Sequence, residues 1–365
     1  MVTTDRDGVF AAGREWVMGV EVRGQRGQVR TRPDTDPQRA LERRLKASAE
    51  KYYDPEIDID WEAPIDPARP WLSPHRVALE GTELWESLTR EQRLEFGRQQ
   101  LGSILILGIW FETALAVFLY HDLMVSPVTG GRSRYLLTEI GEETRHSTMF
   151  ARLVEKMGED STAVEFRVPR FARGAVPFFS SLVPVGPAMY TAVLMAEEIL
   201  DRLQREGMND PALQPHARAA MRIHVIEETR HVSFAKDEIV RGYRDAGPAG
   251  RFLTRVAAGG AALVFPVLGL ANPRMYRAIG VNPAAGMLTG FLARRYGENA
   301  QFLFGPMARF FYDAGIIKGI PATILWRLSR ALPEDVKAQL RRDGGIRGRR
   351  AHLSLVRPVS NVHQA

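Results

Sequence analysis

The segment "IGEETRHSTMFA" (residues 140–151) has a near copy in "VIEETRHVSFAK" (residues 225–236), so the phrase EETRH occurs twice, 85 positions apart. In each copy a glutamate precedes a histidine by three residues, giving the pairs Glu143/His146 and Glu228/His231. Successive residues of an α-helix are rotated by about 100°, so positions three apart lie on one face, one turn from each other. The two side chains of each pair can therefore reach the same point.

Two further glutamates each lie inside an apolar segment that is predicted to be helical. Glu112 is the sole charged residue of "LGSILILGIWFETALAVFLY" (101–120), and Glu197 lies in "YTAVLMAEEILD" (190–201). Each precedes the glutamate of its Glu-x-x-His pair by 31 residues, so the whole unit is repeated at the offset of 85. One inward glutamate from each of two helices, with Glu-x-x-His from each of two others, is the ligand set of ferritin-like dinuclear proteins. The repeat predicts an all-α, ferritin-like helical bundle in which each copy serves one metal ion.

Neighbouring acids leave the ligand assignment open. Glu142 and Glu227 precede the histidines by four residues, which helix geometry also allows, and Glu198 adjoins Glu197. We prefer the second glutamate of each EETRH copy because the dinuclear motif uses i, i+3, and Glu197 because its offset matches the first half. The remaining acids are either hydrogen-bond partners of the ligands or ordinary solvated residues. Asp201, one turn beyond Glu197, is a further candidate for a partner of a ligand histidine.

A third histidine extends the motif in the second copy. His224 lies four residues before Glu228 and seven before His231, so H-x3-E-x2-H occupies one helix face within an arc of roughly 60°. The equivalent position in the first copy is Glu139. We interpret His224 as a seventh ligand and expect an asymmetric site in which one ion receives an extra nitrogen.

Two other interpretations of these residues predict different structures. In the first, the acids and bases form ion pairs at i, i+4 on outer helix faces; this leaves Glu112 unexplained, because an unpaired buried charge is costly. In the second, residues 101–120 span a membrane, but an ionised glutamate at the middle would cost about 3 kcal/mol. The shorter apolar run 256–271 is interrupted by glycine and by Pro266. We therefore expect no membrane span.

The metal type follows from the available donors. The chain contains no cysteine, so any metal must be held by His, Asp and Glu. Four carboxylates and two or three imidazoles suit iron or manganese, and zinc less well. We predict two iron ions, with manganese as the alternative, because redox-active ions can reduce O2 and side chains cannot. Apolar residues on the faces of the isolated glutamates are expected to form a dry wall: Leu105, Gly108, Ile109, Leu115, Ala116, Leu119, Tyr190, Val193 and Leu194.

The pattern of Glu, E-x-x-H, Glu and H-x3-E-x2-H resembles that of the non-haem diiron N-oxygenases typified by p-aminobenzoate N-oxygenase. The resemblance extends from about Asp54, in "YDPEIDIDWEAP", through "EGTELWESLTREQRLE" to about residue 300. It implies that arylamines are oxidised to hydroxylamine and nitro products through a peroxo-diferric species. It implies that the metal ligands are Glu112, Glu143, His146, Glu197, His224, Glu228 and His231. Members of this family are commonly homodimers, a state on which the sequence is silent, and substrate identity does not carry across a family.

Composition divides the chain into three parts: a mobile N-terminal arm (1–45), a single diiron helical-bundle domain (46–340) and a basic C-terminal tail (341–365). The proline-rich stretch 52–79 is predicted to form an irregular collar. Ser87 or Thr89 is the candidate N-cap of the first long helix. Apolar helices are predicted at about 100–120, 132–157, 184–205, 213–243 and 250–270, with further helices flanking the bundle.

The net charge of +6 lies largely in the two tails, which lack the interleaved aromatic residues that stack on bases. We therefore predict no nucleic-acid partner. The absence of a signal-peptide pattern and of cysteine favours the cytoplasm. No G-x-G-x-x-G fingerprint is visible, so electrons are expected from a separate reductase or a small reductant.

Taken from the sequence, the first hypothesis is an O2-dependent diiron oxygenase that acts on a small organic substrate, with an arylamine as the first choice. The alternatives are a diiron hydroxylase or desaturase that attacks C–H bonds, and a non-enzymatic iron-binding or ferroxidase bundle. A helical interaction protein whose basic tails bind nucleic acid is the remaining alternative, and it predicts no stoichiometric metal.

Overall fold

The computed structural model describes residues 36–159, 163–166 and 183–345, and in these ranges it is helical with no β-strand. In chain order the helices are α1 (Pro37–Glu50), α2 (Pro55–Asp58), α3 (Glu83–Ser87), α4 (Arg90–Val125), α5 (Gly131–Gly158), α6 (Pro187–Gly207), α7 (Pro215–Asp245), α8 (Pro248–Leu268), α9 (Pro273–Arg277), α10 (Pro283–Leu292), α11 (Arg294–Asp313), α12 (Ile320–Leu328) and α13 (Glu334–Gly345). The predicted all-α class is confirmed.

Four long helices form the centre of the molecule. Helix α4 packs along α5, and α6 packs along α7, while contacts between α5 and α7 and between α4 and α6 join the two pairs. Helix α8 packs on α6, and α12 packs on α8, so additional helices flank the bundle. This arrangement confirms the predicted ferritin-like bundle with flanking helices.

Local sequence signals set the ends of the bundle helices. Thr89 caps α4: its hydroxyl accepts from the backbone N–H of Gln92 at 3.2 Å, while the Gln92 side chain accepts from the N–H of Thr89 at 2.9 Å. This reciprocal capping box selects Thr89 from the two predicted caps. Pro187 and Pro215 occupy the first turns of α6 and α7, where a missing N–H removes no helical hydrogen bond.

The ligand positions separate two apolar clusters along the bundle. On α4, Leu105 belongs to one cluster and Leu115 to the other, with Glu112 between them. On α7 the order is the same, since Ile223 packs in the cluster of Leu105 and Phe234 in the cluster of Leu115. The polar residues therefore form one layer between two hydrocarbon cores.

The order of the two clusters is reversed on α5 and α6. Ile140 precedes Met149 on α5, and Met195 precedes Leu200 on α6. In each pair the first residue belongs to the cluster of Leu115 and the second to the cluster of Leu105. Helices α4 and α7 consequently run in one direction, and α5 and α6 in the opposite one. Residues 159–186 must therefore connect two parallel helices. One long crossover of this kind occurs in ferritin-like folds.

The boundary of the N-terminal arm differs from the prediction. Residues 37–45, which were assigned to the mobile arm, belong to α1, where Ala40 and Leu41 are buried. The cause is a local signal, because the Asp36 side chain accepts from two N–H groups of the first turn. Helix α1 then packs against α5. Residues 1–35 lie outside the described residues, and their assignment as an arm stays a prediction.

The C-terminal boundary and the collar can be compared in the same way. Residues 341–345 continue α13, so the helix extends past the predicted start of the tail. Residues 346–365 lie outside the described part of the chain. Between 52 and 79 the backbone contains only α2 and a 3-10 turn at Pro74–Arg76, which confirms an irregular collar.

Two helical segments, Arg90–Val125 and Pro248–Arg277, are long and apolar enough to cross a membrane by length and composition alone. Core helices of globular proteins pass the same test, so the observation is weak evidence for a span. The buried apolar residues of α4 are divided between the two cores, and Glu112 is 4% exposed at the polar layer.

Candidate metal centre

The predicted ligands converge in the polar layer, and each is at most 4% exposed. They come from α4 (Glu112), α5 (Glu143 and His146), α6 (Glu197) and α7 (His224, Glu228 and His231). In two groups, one ligand atom per residue lies within 4.8 Å of the others: Glu112, His146, His224 and Glu228, and Glu143, His146, Glu228 and His231. The groups overlap in His146 and Glu228: the Glu228 carboxylate could bridge two adjacent cations, whereas Nδ1 of His146 would bind one of them.

Glu143 lies between the two histidines of the repeated motif. Its Oε2 is 3.0 Å from Nδ1 of His146, and its Oε1 is 2.6 Å from Nδ1 of His231. Oε1 of Glu228 is 3.5 Å from both of these Nδ1 atoms. The two carboxylates thus face both imidazoles, as glutamates that bridge two ions would.

His224 extends the group that contains Glu112. Its Nε2 lies 3.5 Å from Oε1 of Glu112 and 3.4 Å from Oε1 of Glu228. The ring centroid is 4.5 Å from that of His146 and 4.9 Å from that of Phe150. His224 therefore presents Nε2 to the centre, whereas the histidines of the EETRH phrase present Nδ1.

Glu197 lies outside both groups but within the same layer. It is 2% exposed, and burial together with the Glu228 and Glu139 carboxylates raises its pKa well above the usual value. Glu139 occupies on α5 the place that His224 has on α7. It is fully buried, and burial, only partly offset by His231, raises the pKa of Glu139 to about 8. The layer therefore has an additional carboxyl group on α5 at the position where α7 has an additional imidazole.

Electrostatics in this layer favour added positive charge. Burial and the neighbouring Glu143 and Glu228 carboxylates raise the pKa of Glu112 well above its usual range. Burial opposes a charge on His146, but Glu143 and Glu227 outweigh it and raise the pKa of His146 to about 9. A bound cation reverses such effects because it stabilises the ionised carboxylate and the neutral imidazole.

The first glutamate of each EETRH copy holds the histidine of the other copy. Nε2 of His146 donates to Oε2 of Glu227 at 2.9 Å, and Nε2 of His231 donates to Oε2 of Glu142 at 2.7 Å. These crossed hydrogen bonds turn the Nδ1 atoms toward the centre and fix the rings. Of the two roles that the sequence left open for these acids, the structure shows the hydrogen-bond partner.

The arginine of each EETRH copy also contacts the first glutamate of the other copy. Nη2 of Arg230 donates to Oε1 of Glu142 at 2.7 Å, and Nη2 of Arg145 lies 3.5 Å from Oε1 of Glu227. Ser48 of α1 also donates to Glu142. Burial alone would raise the pKa of Glu142, but its contacts with the histidine, Ser48 and Arg230 lower it to about 2. Sequence reasoning missed Ser48 because it lies on a helix outside the repeat, whereas the repeated arginine was a visible signal.

Asp201 does not take the outer role that the sequence suggested for it. Its Oδ2 accepts from Nε of Arg205 at 2.6 Å, and Arg205 also donates to the Thr229 hydroxyl at 2.9 Å. Glu142 and Glu227 support the two histidines instead. Asp201 thus ties α6 to α7 through Arg205.

The residues predicted to form an apolar wall lie mostly in the two cores. Leu105 belongs to one cluster, and the other contains Leu115, Leu119, Tyr190, Val193 and Leu194. A cavity of about 120 Å³ adjoins the ligand helices, and its lining includes Leu107 and Phe111 of α4 and Ala196 and Leu200 of α6. The helical periodicity of the sequence predicted that α4 and α6 line an apolar space, but it did not predict which of their faces do so. Residues of α8 and α11, which are distant in the chain, complete the cavity wall.

The donor set fits a pair of divalent cations. Both carboxylate oxygens of Glu197 are buried without a hydrogen-bond partner in the described part of the protein, and those of Glu228 make no hydrogen bond of normal geometry there. Buried polar atoms of this kind are costly unless something pairs with them. Two cations would pair with them, and a set of only oxygen and imidazole donors suits iron or manganese.

A family model described as p-aminobenzoate N-oxygenase AurF matches residues 34–315, a range that contains all seven candidate ligands. Uncharacterised proteins of Mycobacterium tuberculosis strains CDC 1551 and H37Rv and of Mycobacterium bovis are each 28% identical over 301 residues. The matches cover 78% of this chain and 84% of each relative. Because the relatives are uncharacterised, their likeness assigns no substrate.

Proposed function

The chain belongs to the p-aminobenzoate N-oxygenase family, and we propose that it is an O2-dependent non-haem diiron oxygenase that N-oxygenates an arylamine. The observation that carries this proposal is the pair of overlapping buried groups that share His146 and Glu228. Family membership supports the diiron class, and the geometry supports two cation positions. Iron, rather than manganese, and the amine substrate are the specific parts of the proposal.

Two iron ions held by these groups would supply the redox chemistry that couples reduction of O2 to oxidation of the substrate. Conversion of an arylamine to a hydroxylamine places one oxygen atom in an N–H bond and reduces the other to water. This balance consumes two electrons and two protons. We propose an external reductase or a small reductant as the electron source.

The protein's own residues would hold and isolate the reacting centre. Glu142 and Glu227 accept from Nε2 of the EETRH histidines, so the opposite nitrogens point inward. The two apolar clusters enclose the polar layer on both sides and exclude bulk water from it. The arylamine nitrogen would approach through the apolar cavity beside Phe111 and Ala196.

Metal analysis and product analysis test the proposal together. Purified protein should contain about two iron ions per chain, and the reduced, iron-loaded protein should convert aniline to phenylhydroxylamine when O2 is admitted. Glu228→Ala should lower the iron content and abolish the conversion, because this carboxylate faces all three histidines. Glu198→Gln is the matched control, since Glu198 pairs with Lys236 at 2.7 Å and is in neither ligand group. Protein with no stoichiometric metal, or with iron but no oxidised amine, would contradict the proposal.

The hydrocarbon lining of the cavity favours a second candidate function, oxidation of a C–H bond in an apolar substrate. The same centre would then act as a hydroxylase or desaturase. Assays of arylamine and acyl substrates side by side, with the same iron-loaded protein, distinguish the two reactions. Exclusive oxidation of the acyl substrate would favour this candidate.

A further inference from the structure

The cavity of about 120 Å³ lies between α4, α6, α8 and α11, and the first two of these helices carry Glu112 and Glu197. In its wall Phe111 immediately precedes Glu112, and Ala196 immediately precedes Glu197. Leu200, one turn beyond Glu197, also lines it. The cavity therefore reaches the same turns of α4 and α6 that carry the isolated glutamates.

The size of the cavity limits what it can hold. A protein cavity of roughly 150 Å³ lined by Leu, Ile and Phe accepts a benzene ring. At about 120 Å³, this cavity has room for one six-membered ring without large substituents. Its wall is largely hydrocarbon, with Leu107, Phe265 and Leu303 among the lining residues, so it would pack against an aromatic ring.

The charge of the cavity limits the ligand further. Among the described residues that line it, Arg76 carries the one cationic side chain. Nε of Arg76 lies 2.5 Å from Oε2 of Glu206, and Nη2 lies 3.1 Å from Oε1, so a carboxylate of the protein already occupies the guanidinium fork. The remaining Nη1 donates to Asn299 at 3.1 Å, and the guanidinium stacks on the Phe302 ring.

Two neutral polar side chains of the lining, Gln100 and Asn299, are also engaged. Oε1 of Gln100 accepts from the backbone N–H of Ala78 at 2.9 Å. The amide of Asn299 donates to the carbonyl oxygen of Arg76 at 3.2 Å in addition to accepting from its guanidinium. An anionic ligand would therefore have to displace Glu206 or be buried without a counter-charge from the lining, and either is unfavourable.

We propose that this cavity binds an uncharged, single-ring arylamine and discriminates against aminobenzoates, because Glu206 neutralises the one cation in its lining. The amine follows from the proposed function, while the absence of a carboxylate and the single ring follow from the cavity itself. Aniline and its small neutral ring derivatives represent this class.

Calorimetric titration of the full, iron-loaded chain under anaerobic conditions tests the proposal without turnover. Aniline should bind at least tenfold more tightly than p-aminobenzoate. Equal or tighter binding of p-aminobenzoate, or no binding of either compound, would overturn the proposal. Because binding is measured without O2, a protein that binds aniline but never oxidises it would refute the proposed function and leave this inference standing.

Freeing the guanidinium should reduce the preference for aniline. Glu206→Gln removes the charge that pairs with Arg76, so p-aminobenzoate should bind at least tenfold more tightly than to the wild type, with the aniline affinity changed less than twofold. Asp335→Asn is the control, because Asp335 pairs with Arg309 on the exterior, away from the cavity lining. An unchanged ratio of the two affinities in Glu206→Gln would contradict the role given to this ion pair.

A filled cavity provides an independent measurement. Leu303→Trp adds bulk from α11, far from the candidate ligands in sequence, and should reduce aniline binding at least tenfold while the iron content stays at the wild-type value. A variant that keeps its iron and its melting temperature but binds aniline normally would place the ligand elsewhere and overturn the proposal.

Discussion

The half of the centre built by α4 and α5 and the half built by α6 and α7 contain the same EETRH phrase, yet they differ four residues before its second glutamate. That position is Glu139 in the first half and His224 in the second. His224 lies within 3.5 Å of two candidate ligands, whereas Glu139 has no hydrogen-bond partner of normal geometry in the described residues. A repeat can thus give two cation positions a shared geometry, while one changed residue gives them different donors.

The outer contacts of the two halves differ as well. Glu142 receives hydrogen bonds from His231, Arg230 and Ser48, while Glu227 has His146 and a more distant Arg145 at 3.5 Å. The two halves therefore have the same crossed histidine and arginine contacts, but the contacts to Glu142 are shorter and more numerous than those to Glu227. The predictions below separate the shared geometry from the differences.

The largest effect should come from the carboxylates that face both histidines. Glu143→Ala should cost at least one of two bound ions, because its two oxygens lie 2.6 and 3.0 Å from the two Nδ1 atoms. Glu228→Ala should have a smaller effect, since its Oε1 is 3.5 Å from each. Metal analysis after dialysis checks this order, and full metal content in both variants would refute the bridging assignment.

A smaller effect is expected from the crossed acids. Glu142→Gln and Glu227→Gln should weaken metal binding by roughly 10- to 100-fold, the usual consequence of losing a partner that orients a ligand histidine. Glu142→Gln should lie at the upper end because its contact with His231 is 2.7 Å and that of Glu227 with His146 is 2.9 Å. Competition with a chelator measures both affinities. Equal losses would show that the asymmetry of the outer contacts has no energetic consequence.

Substitutions of His224 or Glu139, the residues that differ between the halves, should change the coordination of the metal ions more than the number of ions bound. His224→Ala should retain most of its iron, with a smaller loss of affinity than the changes above, because the other group keeps its full donor set. Glu139→His gives both halves the H-x3-E-x2-H pattern, so the two iron signals in a Mössbauer spectrum should become more alike. Two signals as different as those of the wild type would show that this position does not set the asymmetry.

The smallest effect concerns stability against pH in the metal-free protein. The pKa of Glu139 is about 8, above its ordinary value of 4.5, so its contribution to stability is present below pH 4.5 and is lost as the pH rises through 8. Glu139→Gln should therefore gain melting temperature relative to the wild type between about pH 5 and about pH 8.

Glu142 should show the opposite sign and serves as the comparison. Its pKa is about 2, so its contribution is present above pH 4.5 and is lost as the pH falls through 2. Glu142→Gln should be less stable than the wild type near neutral pH, and the difference should shrink in acid. Melting curves that shift in parallel at every pH would contradict both assignments.

Much of the site could be predicted because its signals are local. Glu143 and His146 share a face through helix geometry alone, and an isolated glutamate such as Glu112 needs no structure to be noticed. The arm boundary was wrong because the cap at Asp36 was overlooked, although it too is a local signal. Ser48 could not be found, because nothing near it in the sequence indicates a contact with Glu142.

By itself the sequence determined the helical class, the repeat, and the side chains that can converge on one point, since the period of a helix is fixed by its own backbone. Only the tertiary structure decided that each first glutamate supports the opposite histidine and that Glu206 neutralises Arg76 beside the cavity. It also decided that Glu139 lies buried with no hydrogen bond of normal geometry to any described residue. These are contacts between helices far apart in the chain, and their geometry depends on how the helices pack rather than on the spacing of residues within any one of them.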